Sequence, residues 1–249
     1  MQRYFLTEPY EAKEHYTIMG ENYHHIVRVM RMEPKQQVFL VFSDRLAIIA
    51  EITEVTEEAV YLKEISKEQA KKELPVNVTI ACGYPKGDKL EWVVQKGTEL
   101  GSHKFIGFPA KASVVKWDKK KLAKKTERLK KIATEAAEQS HRQFAPDIVL
   151  LEKEQELLDV FSSYDKVLIA YEESAKVGER SRFATALSEL VIGESFLIIF
   201  GPEGGFSPTE IEKFQEHGGI ICGLGPRILR AETAPLYALS AISYQFELV

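Results

Sequence analysis

From Pro75 onward, short apolar runs of strand length alternate with segments whose apolar residues recur at helical spacing. That alternation constrains the fold more than any other feature, because strands joined by helical crossovers run parallel and need cover on both faces. Runs at 76–82, 104–108, 148–151, 166–171, 195–200 and 220–223 read as strands. Asp88 is placed to cap a helix carrying Leu90, Val93, Val94 and Leu100, and Leu122, Leu129, Ile132 and Ala136 stripe a longer helix through about Arg142. A last helix is expected behind Thr233 as N-cap, with Pro235 in its first turn and Leu239, Ile242 and Phe246 on a buried face.

The N-terminal part reads differently. Runs at 38–42, 47–53 and 59–65 are short and β-rich, and residues 43–45 make a tight turn between the first two. Residues 23–31 fit a short helix with Ile26, Val27 and Met30 on one side and His24, Arg28 and Arg31 on the other. A small β-barrel is expected there. The charged stretch 66–73 then marks a linker, dividing the chain into domains 1–72 and 73–249.

The longest apolar runs, such as 196–200, fall far short of the ~18 residues of a membrane helix, and the N-terminus lacks an export signal. The two cysteines, Cys82 and Cys222, lie far apart with no CxxC and no Cys/His cluster, so neither a zinc site nor a disulfide framework is indicated. A reducing cytoplasm fits that usage, and no metal or membrane partner is expected. Net charge is −4, yet residues 83–145 hold 15 Lys+Arg against 7 Asp+Glu. A basic middle in an acidic chain reads as a polyanion-facing surface or as a solvated helix face.

Glycine and charge gather in two loops directly behind late apolar strands. The first is Gly201-Pro-Glu-Gly-Gly-Phe-Ser207 and the second Leu224-Gly-Pro-Arg-Ile-Leu-Arg-Ala-Glu-Thr-Ala234. The carboxyl ends of parallel strands are where such sheets bind ligands, and glycine lets backbone approach closely. Read alone, the first loop is either that or a plain strand-to-helix turn. The second is either a site or a buried Arg230/Glu232 pair tying the final helix to the sheet. GxGxxG behind the first strand of the second domain, GxxxxGK[ST], GxSxG and HExxH are all absent, which removes the usual parts of dinucleotide binding, P-loop hydrolysis, serine hydrolysis and zinc proteolysis.

The two loops, in this order, resemble the signature of SPOUT-class methyltransferases, specifically the family that methylates N3 of a uridine in 16S ribosomal RNA. Met1-Gln-Arg-Tyr-Phe5, His24-His-Ile-Val-Arg-Val-Met-Arg31, Lys96-Gly-Thr-Glu-Leu-Gly101 and Glu135-Ala-Ala-Glu-Gln-Ser-His-Arg142 extend the likeness over nearly the whole chain. The resemblance implies an α/β fold: an N-terminal PUA-like β-barrel, then a SPOUT domain ending in a deep trefoil knot. It also implies a homodimer using S-adenosylmethionine on the small ribosomal subunit.

On that resemblance Gly201, Glu203, Gly204, Leu224, Gly225, Ile228, Leu229 and Thr233 are expected to bind the cofactor. Arg230 is expected to stabilise negative charge developing on uracil, and Glu232 to act as base or to orient Arg230. Arg3, Arg28, Arg31, Lys86, Lys89, Lys96 and Arg142 are expected on RNA phosphates, with Lys120, Lys124 and Lys131 contributing less specifically. His24 and His25 read as surface or packing residues. Alternatives are a 2′-O-ribose or N1 base methyltransferase acting on transfer RNA, and a non-catalytic RNA-binding assembly factor.

Overall fold

The computed structural model describes residues 1–70, 72–172 and 182–249. The chain divides into two compact units, Met1–Glu73 with Ala137–Phe144, and Leu74–Ala136 with Ala145–Val249.

The first unit is a five-stranded sheet in the order β1-β3-β4-β5-β2: β1 Arg3–Phe5, β2 Tyr16–Ile18, β3 Gln37–Val41, β4 Ala47–Val55 and β5 Val60–Lys67. β1 runs parallel to β3, and the other pairs are antiparallel. Among the described residues β1 and β2 are the outer strands and do not pair, so hydrogen bonding leaves the expected barrel open. Alternate residues of the strands, among them Tyr4, Val38, Leu40, Ile48, Ala50, Ile52, Val60 and Leu62, build one buried cluster around Ile26.

The helix expected at 23–31 departs from regularity. An α-helical turn at Gly20–His24 passes into a π-helical turn at His25–Val29, closed by the Met30 amide donating to the His25 carbonyl at 2.9 Å. The wider turn shifts the phase of the side chains that follow, so Ile26 is buried while Met30, expected beside it, is exposed.

The second unit is a six-stranded, wholly parallel sheet in the order β11-β9-β10-β6-β7-β8: β6 Asn77–Gly83, β7 Lys104–Phe108, β8 Asp147–Leu150, β9 Lys166–Ala170, β10 Ser195–Phe200 and β11 Ile220–Cys222. Both faces are covered. Phe196, Ile198 and Phe200 of β10 pack in one cluster with residues of the helices Lys89–Glu99, Lys119–Gln139, Arg182–Glu189 and Thr233–Ser243. Leu197 and Ile199 point the other way, into a cluster with residues of the helices Glu154–Leu158 and Pro208–Glu216.

The helix Pro208–Glu216 starts where its sequence dictates. Ser207 and Glu210 form a reciprocal capping box ahead of Pro208, satisfying amides that the first turn would otherwise leave open. Other ends differ from expectation. Asp88 occupies the N-cap position of Lys89–Glu99 without a side-chain cap bond, and Glu232, not Thr233, is the N-cap residue of Thr233–Ser243.

The long helix stops at Gln139. His141 then takes a positive φ of 60°, and the segment Ala137–Phe144 packs with the first unit instead of staying with residues 73–249. An ion pair and a hydrogen bond to Arg3 hold it there. Arg142 Nε donates to Glu73 at 3.0 Å, and Arg3 donates to Glu68 at 2.7 Å and to the Arg142 carbonyl at 3.2 Å.

Candidate active site

The sheet order places the carboxyl ends of β9, β10 and β11 side by side, and a pocket of about 550 Å³ opens there. Three loops wall it. Gly201, Glu203, Gly204 and Phe206 follow β10; Leu224, Gly225, Ile228, Leu229 and Arg230 follow β11; Ala170 and Tyr171 close β9. Apolar surface from Leu224, Ile228 and Leu229 is therefore set beside a few charged groups, the composition of a small-molecule site.

Two of the glycines have different reasons to be there. Gly225 has φ +101°, a left-handed backbone that places the second loop, with, among the described residues, only the Tyr237 hydroxyl within 4 Å of where a Cβ would stand. Gly204 is required by packing, because its Cβ would come 2.8 Å from the Cβ of Ala112. A side chain at Gly204 would therefore strike the protein before any ligand.

The charged groups are organised around Lys89, which also lines the pocket. Its Nζ lies 2.8 Å from Glu203 Oε1 and 3.4 Å from Glu232 Oε2. Glu203 Oε1 also accepts the Lys86 amide at 3.1 Å. Burial alone would raise the Glu203 pKa, but the Lys89 bond and the backbone amides of Glu203 and Lys86 outweigh it and hold the carboxyl below its usual range. The Glu203 bond, opposed by some desolvation, likewise raises Lys89 above the ordinary lysine value. Arg230 lines the pocket, is exposed, and among the described residues has no carboxylate partner.

The structure thus gathers Gly201, Glu203, Gly204, Leu224, Gly225, Ile228, Leu229 and Arg230 around one cavity. Thr233 is exposed on the first turn of the last helix and does not line it, although the next residue, Ala234, does. Glu232 does not line it either; its carboxylate is turned to Lys89.

The residues expected on phosphates separate. Arg28 and Arg31 are exposed, Arg31 with a φ of 52°. Lys86 presents an exposed side chain, and Lys96 is half-buried and bonded to Glu99 at 2.8 Å. Arg3 and Arg142 are each 2% exposed, and their guanidinium groups are neutralised by Glu68 and Glu73 and lie against Phe39 and Phe144, so both are corrected to internal ties. Lys89 belongs to the pocket. His24 is exposed, and His25 Nδ1 lies 3.0 Å from the Tyr4 hydroxyl.

Sequence reasoning did not single out Tyr171 or the pocket role of Lys89. The apolar run of β9 was legible, but only the crossover that sets β9 between β10 and β11 brings its end to the site. Both cysteines are buried, and burial pushes the Cys82 thiol up to about 12, so it offers no nucleophile.

The parallel sheet with a glycine-walled pocket at its carboxyl edge and the separate small β-unit each have counterparts among known proteins. Residues 72–243 match the RNA methyltransferase domain family, and residues 18–65 match the RNA methyltransferase PUA domain. The chain is 51% identical to ribosomal RNA small subunit methyltransferase E of Bacillus subtilis, over 100% of this chain and 98% of the relative. Among solved structures, a putative methyltransferase of Legionella pneumophila in complex with S-adenosylmethionine superposes with a TM-score of 0.83 at 29% identity, covering 97% of this chain and 96% of that one. A ribosomal RNA small subunit methyltransferase E of Neisseria gonorrhoeae bound to S-adenosylmethionine gives 0.83 at 25% identity, over 99% and 98%. The chain belongs to the ribosomal RNA small subunit methyltransferase E family.

Proposed function

We propose that the protein transfers the methyl group of S-adenosylmethionine to N3 of a uridine in 16S ribosomal RNA of the small ribosomal subunit. The observation that carries this reading is the pocket at the ends of β9, β10 and β11, built from the two glycine loops. The residues fit the cofactor: the volume suits a nucleoside-sized ligand, Gly225 holds its loop in a backbone form that other residues resist, and Leu224, Ile228 and Leu229 offer apolar surface beside glycine backbone. Gly201, Gly204, Leu224, Gly225, Ile228 and Leu229 would hold it, with Glu203 fixing the first loop. When bound, S-adenosylmethionine supplies an electrophilic methyl on a sulfonium.

Uracil N3 carries an imide proton between two carbonyls, so that proton must leave and the charge spreading onto the oxygens must be stabilised. Arg230, on the pocket wall and without a carboxylate partner among the described residues, is the group for that work through charge-assisted hydrogen bonds. Glu232 faces Lys89 and not Arg230, so neither the base nor the Arg230-orienting role gains support, and its part in this reading is to hold the second loop. No covalent intermediate with the protein is required.

The remaining parts of this reading are a SPOUT-class knot, a homodimer and a cytoplasmic setting. The last helix packs on β10 and on the helix Lys89–Glu99 although β11 lies at the far edge, and a chain returning across β9 and β10 supports a threaded terminus. Exposed Tyr237, Tyr244 and Leu248 on and after that helix support a second copy as its cover.

The deciding experiment is transfer of radiolabelled methyl from S-adenosylmethionine to unmodified small subunits, followed by digestion to nucleosides. The expected product is 3-methyluridine. A 2′-O-methyl or N1-methyl nucleoside, or no transfer, overturns the assignment.

A further inference from the structure

We propose that Lys89 is the positioning residue that holds the two pocket loops in one arrangement, a single ammonium bridging Glu203 of the first loop and Glu232 of the second. The proposal draws on the methyltransferase reading only for its consequence, cofactor affinity; the clamp itself is a property of the chain alone.

Three segments remote in sequence meet at this point. Lys89 is the first residue of the helix behind β6, Glu203 stands in the loop behind β10, and Glu232 is the N-cap residue of the last helix. An ammonium carries three donors in tetrahedral array, so one lysine can serve two carboxylates at once. Here they lie at 2.8 Å and 3.4 Å. The Lys86 amide joins the same Glu203 oxygen, so the start of the helix grips the first loop through side chain and backbone together.

A surface ion pair would be a weak reason to assign a role. The buried oxygen of Glu232 makes the difference. Among the described residues Glu232 Oε2 has no hydrogen bond, and its compensation is the ion pair with Lys89. Without the ammonium, two carboxylates would face one small space, one of them with a desolvated oxygen, and like charges so placed repel. The loops that carry them are glycine-rich and have little regular structure to resist separation. Splaying them would widen the pocket and displace Arg230, which lies two residues before Glu232. Lys89 therefore acts through the loops and is not a phosphate contact.

The test begins with cofactor-free protein, by hydrogen exchange at the amides of Gly205, Thr233 and Ala234, whose bonds to Pro202 and Arg230 carbonyls at 2.9–3.0 Å lie within the two loops. Lys89→Met should speed exchange at all three by about tenfold, the effect of losing a charged hydrogen bond, while the amides of β10 remain protected and report an intact fold. Lys89→Arg should restore protection. Glu203→Gln or Glu232→Gln, added to Lys89→Met, should change little further, because the members of one clamp do not add. Titration calorimetry with S-adenosylmethionine should then show affinity weakened about tenfold by Lys89→Met and recovered by Lys89→Arg. Unchanged exchange in Lys89→Met, or additive effects of the three substitutions, overturns the clamp. A wild-type protein that binds no S-adenosylmethionine, while Lys89→Met still loosens both loops, overturns the cofactor reading and leaves the clamp standing.

Discussion

At Gly225 the constraint is written in the backbone. A φ of +101°, with no described neighbour nearer the missing side chain than the Tyr237 hydroxyl at 3.8 Å, means that substitution acts by bending the loop and not by striking that neighbour. Gly225→Val, at a cost of about 1–3 kcal/mol for a β-branched residue held in that region, should shift the loop and weaken S-adenosylmethionine binding at least about tenfold. Circular dichroism should remain native, and calorimetry reads the affinity; wild-type affinity would remove the second loop from the site. Arg230 makes a different kind of prediction. Its guanidinium has no carboxylate partner among the described residues, so Arg230→Ala breaks no ion pair there. If it stabilises charge on uracil, single-turnover methyl transfer from preloaded enzyme should fall about 100-fold while cofactor affinity stays close to wild type. Rates equal to wild type across a pH series would reduce Arg230 to a pocket wall.

Among the elements, the ends of strands and helices decide what sequence periodicity cannot. The runs behind β3 to β11 were legible because fully or half-buried strands leave apolar runs and alternation. β1 and β2 were not, because three residues carry no period; they exist as strands through pairing with β3 and β5. The glycine loops were legible for the opposite reason, since no helix or strand period explains them. Arg3 and Arg142 misled because an arginine in a basic context has the composition of a phosphate contact, and only tertiary pairing to Glu68 and Glu73 shows the charge to be satisfied internally. Arg3 ties β1 to the segment after β5, with its own side chain fully buried and that of Glu68 7% exposed. Arg3→Met should therefore destabilise the fold by about 3–5 kcal/mol, the cost of stranding the partner of a buried pair. Urea denaturation measures it. Arg3→Met with unchanged stability but weakened RNA binding would return Arg3 to the surface role.

For the molecule as a whole, a net charge of −4 is the wrong number to bring to a polyanion, since long-range attraction depends on where unpaired charge sits. The basic middle of the chain divides on the helix Lys119–Gln139. Lys125 and Arg128 are engaged with Glu91, the latter at 2.7 Å, and Lys130 and Lys131 have Glu127 and Glu135 as neighbours. Lys120, Lys121 and Lys124 are exposed and, among the described residues, have no carboxylate partner. If this helix face meets RNA, these three are its charges placed to displace counterions. Replacing all three with Ala should lower the slope of log affinity against log salt by about 2, at roughly 0.7 for each phosphate of single-stranded RNA that is no longer neutralised. Cofactor affinity should be untouched, because none of them lines the pocket. Arg28→Ala with Arg31→Ala tests the first unit in the same way, and each substitution should lower the slope by a similar step. Filter binding of a 16S fragment over a salt series reads both. A slope unchanged by the triple substitution would make the lysine face ordinary solvated helix surface and leave the N-terminal arginines as the docking charges.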